Sequence, residues 1–83
     1  MNITSISVTK IEKEDTRLKG IATIVINDQL AIHDIRIIEG DNGLFVAMPS
    51  RKNQKGEYQD IIHPINKEAR SLIHDAIINQ FMK

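Results

Sequence analysis

From residue 3 to residue 62 the chain is a succession of β-branched segments cut by turn residues, and its spacing becomes helical only after Pro64. That order restricts the fold more than any other property. Segments of period two need neighbours for their backbone groups, and short turns make consecutive strands antiparallel neighbours. A single helical segment at the end can cover one face of such a sheet. The predicted fold is therefore α+β: an antiparallel β-meander of about five strands with one C-terminal α-helix, residues 1–83 forming a single domain.

The segments can be placed. Residues 3–11 alternate, with Ile6 and Val8 sharing a face with Lys10. Residues 20–26, GIATIVI, are apolar on both faces, as a central strand is. Residues 27–29 make a short turn. In residues 30–38, strict alternation puts His33, Ile35 and Ile37 on one face and Ile32, Asp34, Arg36 and Ile38 on the other. Asn42-Gly43 is a strong hairpin signal, because a type I′ turn needs positive φ at both central positions. Residues 44–48 return, Pro49 stops that strand for want of an N–H, and residues 57–62 form the last strand. Between the two lies the loop 50–56.

Asn66 reads as a helix N-cap, with Glu68 in the first turn where the helix dipole favours an acid. Ala69, Leu72, Ile73, Ala76, Ile77 and Gln80 then share one face, and Ile78 and Met82 fall opposite it. A chain this short buries only about 60% of its unfolded surface. It has no cysteine to supplement the core. A sheet apolar on both faces with one helix to cover it predicts a homodimer that shares a sheet edge or face.

Catalytic and metal chemistry find little support. His33 and Asp34 are strand neighbours, so they point apart and neither orients the other; a pairing of Asp34 with Arg36 or a cross-strand cation is expected instead. His63, His74, His33 and Asp60 lack the short paired spacings of a zinc site, so no metal is expected. No nucleophile elbow, Walker loop or dinucleotide fingerprint occurs. The sequence predicts no enzyme and no cofactor. The N-terminus has neither a basic n-region nor a continuous apolar h-region, and no apolar run approaches the ~20 residues that cross a bilayer. A cytoplasmic protein without membrane contact is expected.

Eleven basic and eleven acidic side chains cancel, which argues against a uniformly basic nucleic-acid binder. The balance is uneven along the chain. Residues 1–42 carry five Lys/Arg against seven Asp/Glu, and residues 43–83 carry six against four. The densest positive piece is Arg51-Lys52-Asn53-Gln54-Lys55. Arg, Lys, Ser, Asn and Gln are the residue types that contact phosphate. Surface loops are often charged as well, and residue types alone fit both readings equally. Lys67, Arg70 and His74 add a second basic element at the helix, where free N–H groups also attract anions. Three scattered rings, Phe45, Tyr58 and Phe81, make no stacking platform, although one stacking contact stays open.

The run NGLFVAMPSRK at residues 42–52, followed by Asp60 and by HPIN at residues 63–66, resembles the SpoVG family (stage V sporulation protein G, or septation regulator). The likeness is strongest over residues 33–66 and continues through the helix. It implies a homodimeric bacterial regulator, without catalysis or cofactor, that binds DNA and RNA and influences gene expression, septation or sporulation. It assigns nucleic-acid contacts to Arg51 and Lys52, with Lys55 assisting, and to the helix around Lys67, Arg70 and His74. Many members of that family continue past the helix with an acidic tail, whereas this chain stops at Lys83; stronger or less selective binding is the corresponding expectation. The other reading of the residues is a protein-interaction module in cell-division control, docking a partner through Ile78, Met82 and an open sheet edge.

Overall fold

A computed structural model describes residues 1–83. Six strands precede one helix: β1 (Ile3–Lys10), β2 (Leu18–Ile26), β3 (Leu30–Gly40), β4 (Gly43–Ala47), β5 (Ser50–Lys52), β6 (Tyr58–Asp60) and α1 (Lys67–Phe81). β1 to β4 form an antiparallel meander in chain order, with β2 and β3 at its centre. The expected α+β architecture holds. The last strand does not join the meander, however. β5 and β6 pair only with each other, as a separate two-stranded ribbon. Pro49 explains the break: it ends β4 without a donor, and its carbonyl instead accepts from the Ile61 N–H at 2.8 Å, closing the base of the ribbon.

One face of the sheet makes the core. Ala22 and Ile24 of β2 and Ile32, Ile35 and Ile37 of β3 are buried under Ile73 and Ile77 of α1. Each fully buried isoleucine contributes about 1.5–3 kcal/mol by leaving water. Strict alternation would separate Ile32 from Ile35. The register reconciles them: Ile24 faces Ile32 and Ala22 faces Ile35, so Thr23 alone opposes both His33 and Asp34. This β-bulge inserts one residue and returns Ile35 to the core side. Asp34 takes φ +62° to make it. His33 and Asp34 form no pair; His33 Nδ1 lies 3.3 Å from Thr23 Oγ1. Asp34 makes no ion pair either, contrary to expectation.

The turns also differ in detail. Asn27 and Asp28 both have positive φ, 54° and 55°, and Gln29 N–H donates to the Ile26 carbonyl at 3.0 Å. Type I′ character therefore sits between β2 and β3. Between β3 and β4, Gly40 pairs with Gly43, so the central residues are Asp41 and Asn42, one position earlier than the dipeptide signal suggests. Only Gly43 there has positive φ.

Asn66 caps α1 as predicted, its Oδ1 accepting from the Ala69 N–H at 2.8 Å. The buried stripe is rotated from the predicted one. Ile78 and Phe81 pack against the core, while Leu72 is exposed. The ring of Phe81 lies over Gly20, where an added Cβ would stand 3.1 Å from its edge. Lys10 Nζ sits over the same ring, 5.4 Å from its centre.

The other face of the sheet has no cover. Cross-strand pairing aligns Leu18, Ile38 and Phe45 in one row, with Ile21, Arg36 and Ala47 beside it. No helix of the chain is long and apolar enough to cross a membrane.

Candidate nucleic-acid interface

The ribbon is built by its tip. Asn53 Oδ1 accepts from the Lys55 and Glu57 N–H groups, both at 2.9 Å, and the Asn53 N–H donates to the Glu57 carbonyl at 2.8 Å. Asparagine satisfies turn backbone in this way more readily than other residues. Gly56 supplies the positive φ, 82°, that closes the turn. Asn53 therefore acts within the fold, where sequence reasoning had it as a donor for a ligand. Arg51 and Lys52, expected on a loop, lie instead on β5.

This has a geometric consequence. Arg51 pairs with Gln59, and Lys52 pairs with Tyr58. Successive residues of a strand point to opposite faces. The two cations thus stand on opposite sides of the ribbon, with Lys55 at its tip. All three are exposed, and none has an acid within salt-bridge distance. By contrast, Arg17 is bonded to Asp41 at 3.2 Å and Lys19 approaches Glu39 at 3.9 Å.

The helix residues form a different setting. Arg70 and His74, one turn apart, line a groove of about 640 Å³ between β4 and the first half of α1. Asp60, His63 and Asp75 line it too, and His74 Nδ1 lies 3.2 Å from Asp75 Oδ1. The groove is mixed in charge rather than positive. Its histidines and acids do not come together as a metal-binding cluster. Lys67 opens α1 outside the groove, beside Glu68. The six predicted residues therefore divide into a ribbon set, a groove pair and an isolated lysine. Only Asp60, at the ribbon's base opposite Ser50, belongs to both ribbon and groove.

Sequence reasoning counted Tyr58 among three scattered rings and did not place it beside Lys52. It stands directly opposite Lys52 and is 73% exposed. A three-residue turn read at 54–56, with Asn53 facing Glu57 and pairing counted outward from them, would have placed the two side by side.

Comparison with known proteins gives a consistent result. The sequence model of the SpoVG family matches residues 1–83. A protein of Clostridium perfringens is 48% identical over 83 residues, covering all of this chain and 91% of its own length. One from Agathobacter rectalis is 48% identical over 81 residues, covering 98% of this chain and 92% of the relative. One from Lachnospira eligens is 46% identical over 83 residues, covering all of this chain and 93% of the relative. All three carry the name "Putative septation protein SpoVG".

Proposed function

The chain belongs to the SpoVG family, and on that premise we propose that it is a homodimeric cytoplasmic regulator that binds DNA and RNA through the β5–β6 ribbon, with further contacts from α1. The names of its relatives direct this role to septation. No catalytic step belongs to it. The observation that carries the reading is the ribbon itself: Arg51, Lys52 and Lys55 are exposed on a projecting element and lack acid partners. Unpaired cations displayed in this way are suited to phosphate. Arg70 and His74 are the weaker part, because Asp60 and Asp75 share their groove. The outer face of the sheet, where Ile21 and Phe45 are exposed beside half-buried Leu18 and Ile38, supports dimerisation through that face.

The test is fluorescence anisotropy with duplex DNA and single-stranded RNA at several salt concentrations, beside Arg51→Ala/Lys52→Ala. Binding should weaken steeply with salt, and the double variant should flatten the duplex slope by about two. A variant with unchanged affinity and slope refutes the ribbon assignment.

A second reading, docking of a protein partner, is favoured by the same outer face. Ile78 cannot serve it, since that side chain packs against the core; Met82 remains exposed. This reading predicts salt-tolerant binding to a protein and none to nucleic acid at low salt.

A further inference from the structure

Tyr58 contributes little to the fold. Its ring is 73% exposed and its hydroxyl makes no hydrogen bond with the protein. Tyrosine carries a large apolar ring that ordinarily earns its place by burial. Here it projects from a three-residue strand, directly opposite Lys52. Paired residues of an antiparallel ribbon share a face with Cβ atoms about 4.5–5.5 Å apart. The ammonium of Lys52 does not close over the ring, for the only cation so placed in the chain is Lys10 over Phe81. The aromatic face is open, and an unpaired cation stands beside it.

Those two groups match the two parts of a nucleotide. An aromatic face stacks on a base, and an ammonium holds a phosphate. Bases inside a duplex are stacked on one another and present only their edges, whereas an unpaired base offers its face. We propose that Tyr58 and Lys52 form a single-nucleotide subsite for single-stranded nucleic acid, with Tyr58 stacking on the base and Lys52 holding the adjoining phosphate. The proposal rests on the reading of the ribbon as the phosphate grip and adds a strand preference to it. Neither other ring extends the stack: Phe81 covers Gly20, and Phe45 lies on the outer face of the main sheet. One base is held per ribbon, so the subsite distinguishes single strands from duplexes without reading sequence.

The chain contains one tyrosine and no tryptophan, so its intrinsic fluorescence reports Tyr58 alone. The full chain is titrated with oligothymidylate and with a duplex of equal length, corrected for nucleic-acid absorption, while anisotropy of the labelled oligonucleotide follows binding independently. Single strand should quench the tyrosine and duplex should not. Tyr58→Ala should weaken single-strand binding about five- to 150-fold. Tyr58→Phe should bind like the parent, and Tyr58→Leu should stay as weak as the alanine variant. Binding without quenching, or a leucine variant as tight as the parent, overturns the stacking assignment and leaves the phosphate grip standing. Absence of binding to either oligonucleotide refutes the grip and the subsite with it.

Discussion

Ile32 and Ile35 are buried on the same side of β3, although three positions of a regular strand would place them on opposite sides. The residues between them share one place opposite Thr23. Asp34, at φ +62°, holds the irregularity. Aspartate tolerates this region better than most side chains, and a β-branched residue tolerates it poorly. Asp34→Val should cost about 1–3 kcal/mol, while Asp34→Gly should stay near the parent. Urea unfolding followed by circular dichroism separates the two; equal loss in both would mean that the aspartate side chain, not the backbone, supports the bulge.

Arg51 and Lys52 stand on opposite faces of the ribbon and share no partner. Their contributions to nucleic-acid binding should therefore add. Each single alanine variant should reduce the salt slope by about one, and the double-variant loss should equal the sum within about 0.5 kcal/mol. A large coupling energy in this cycle would place both side chains on one phosphate, against the strand geometry.

Asn53 carries no charge, yet its removal should weaken binding. Its Oδ1 holds two backbone N–H groups at the ribbon tip, and each such bond contributes about 0.5–1.5 kcal/mol. Asn53→Ala should speed amide exchange at Lys55 and Glu57 and reduce affinity with the salt slope almost unchanged. The melting temperature should move little, because the ribbon is not part of the main sheet. Slow exchange retained in the variant would show that the tip is held by other means.

The helix stripe can be checked by two truncations. Ile77 is 0% exposed and Leu72 is 43% exposed. Ile77→Ala should cost about 2–5 kcal/mol, enough to threaten a domain of this size. Leu72→Ala should cost well under half as much. Similar losses at both positions would restore the stripe that spacing alone suggests.

How much of this was legible beforehand depends on how local the cause is. The Asn66 cap and the start of α1 follow from side-chain chemistry within one turn, and the sequence displays both. The meander follows from short connections between extended segments. The bulge does not, because period-two extrapolation has no term for an inserted residue, and Asp34 is an unremarked choice for left-handed φ. The rotation of the helix stripe toward Ile78 and Phe81 is set by the sheet beneath it, with Gly20 leaving room for the ring. The cations of the candidate site were found by residue type. Their division between two ribbon faces and a mixed groove depends on pairing that composition does not contain, and so did Tyr58.

The order of elements also bears on how the chain is made. β2 and β3 leave the ribosome early with Ala22, Ile24, Ile32, Ile35 and Ile37 on one face, and that face is closed only by Ile73 and Ile77. At ordinary rates of synthesis the interval between making Ile37 and making Ile77 is roughly 2–8 s. For that time the nascent chain holds a bare apolar surface, and molecular chaperones, rather than any later partner, are the first proteins suited to meet it.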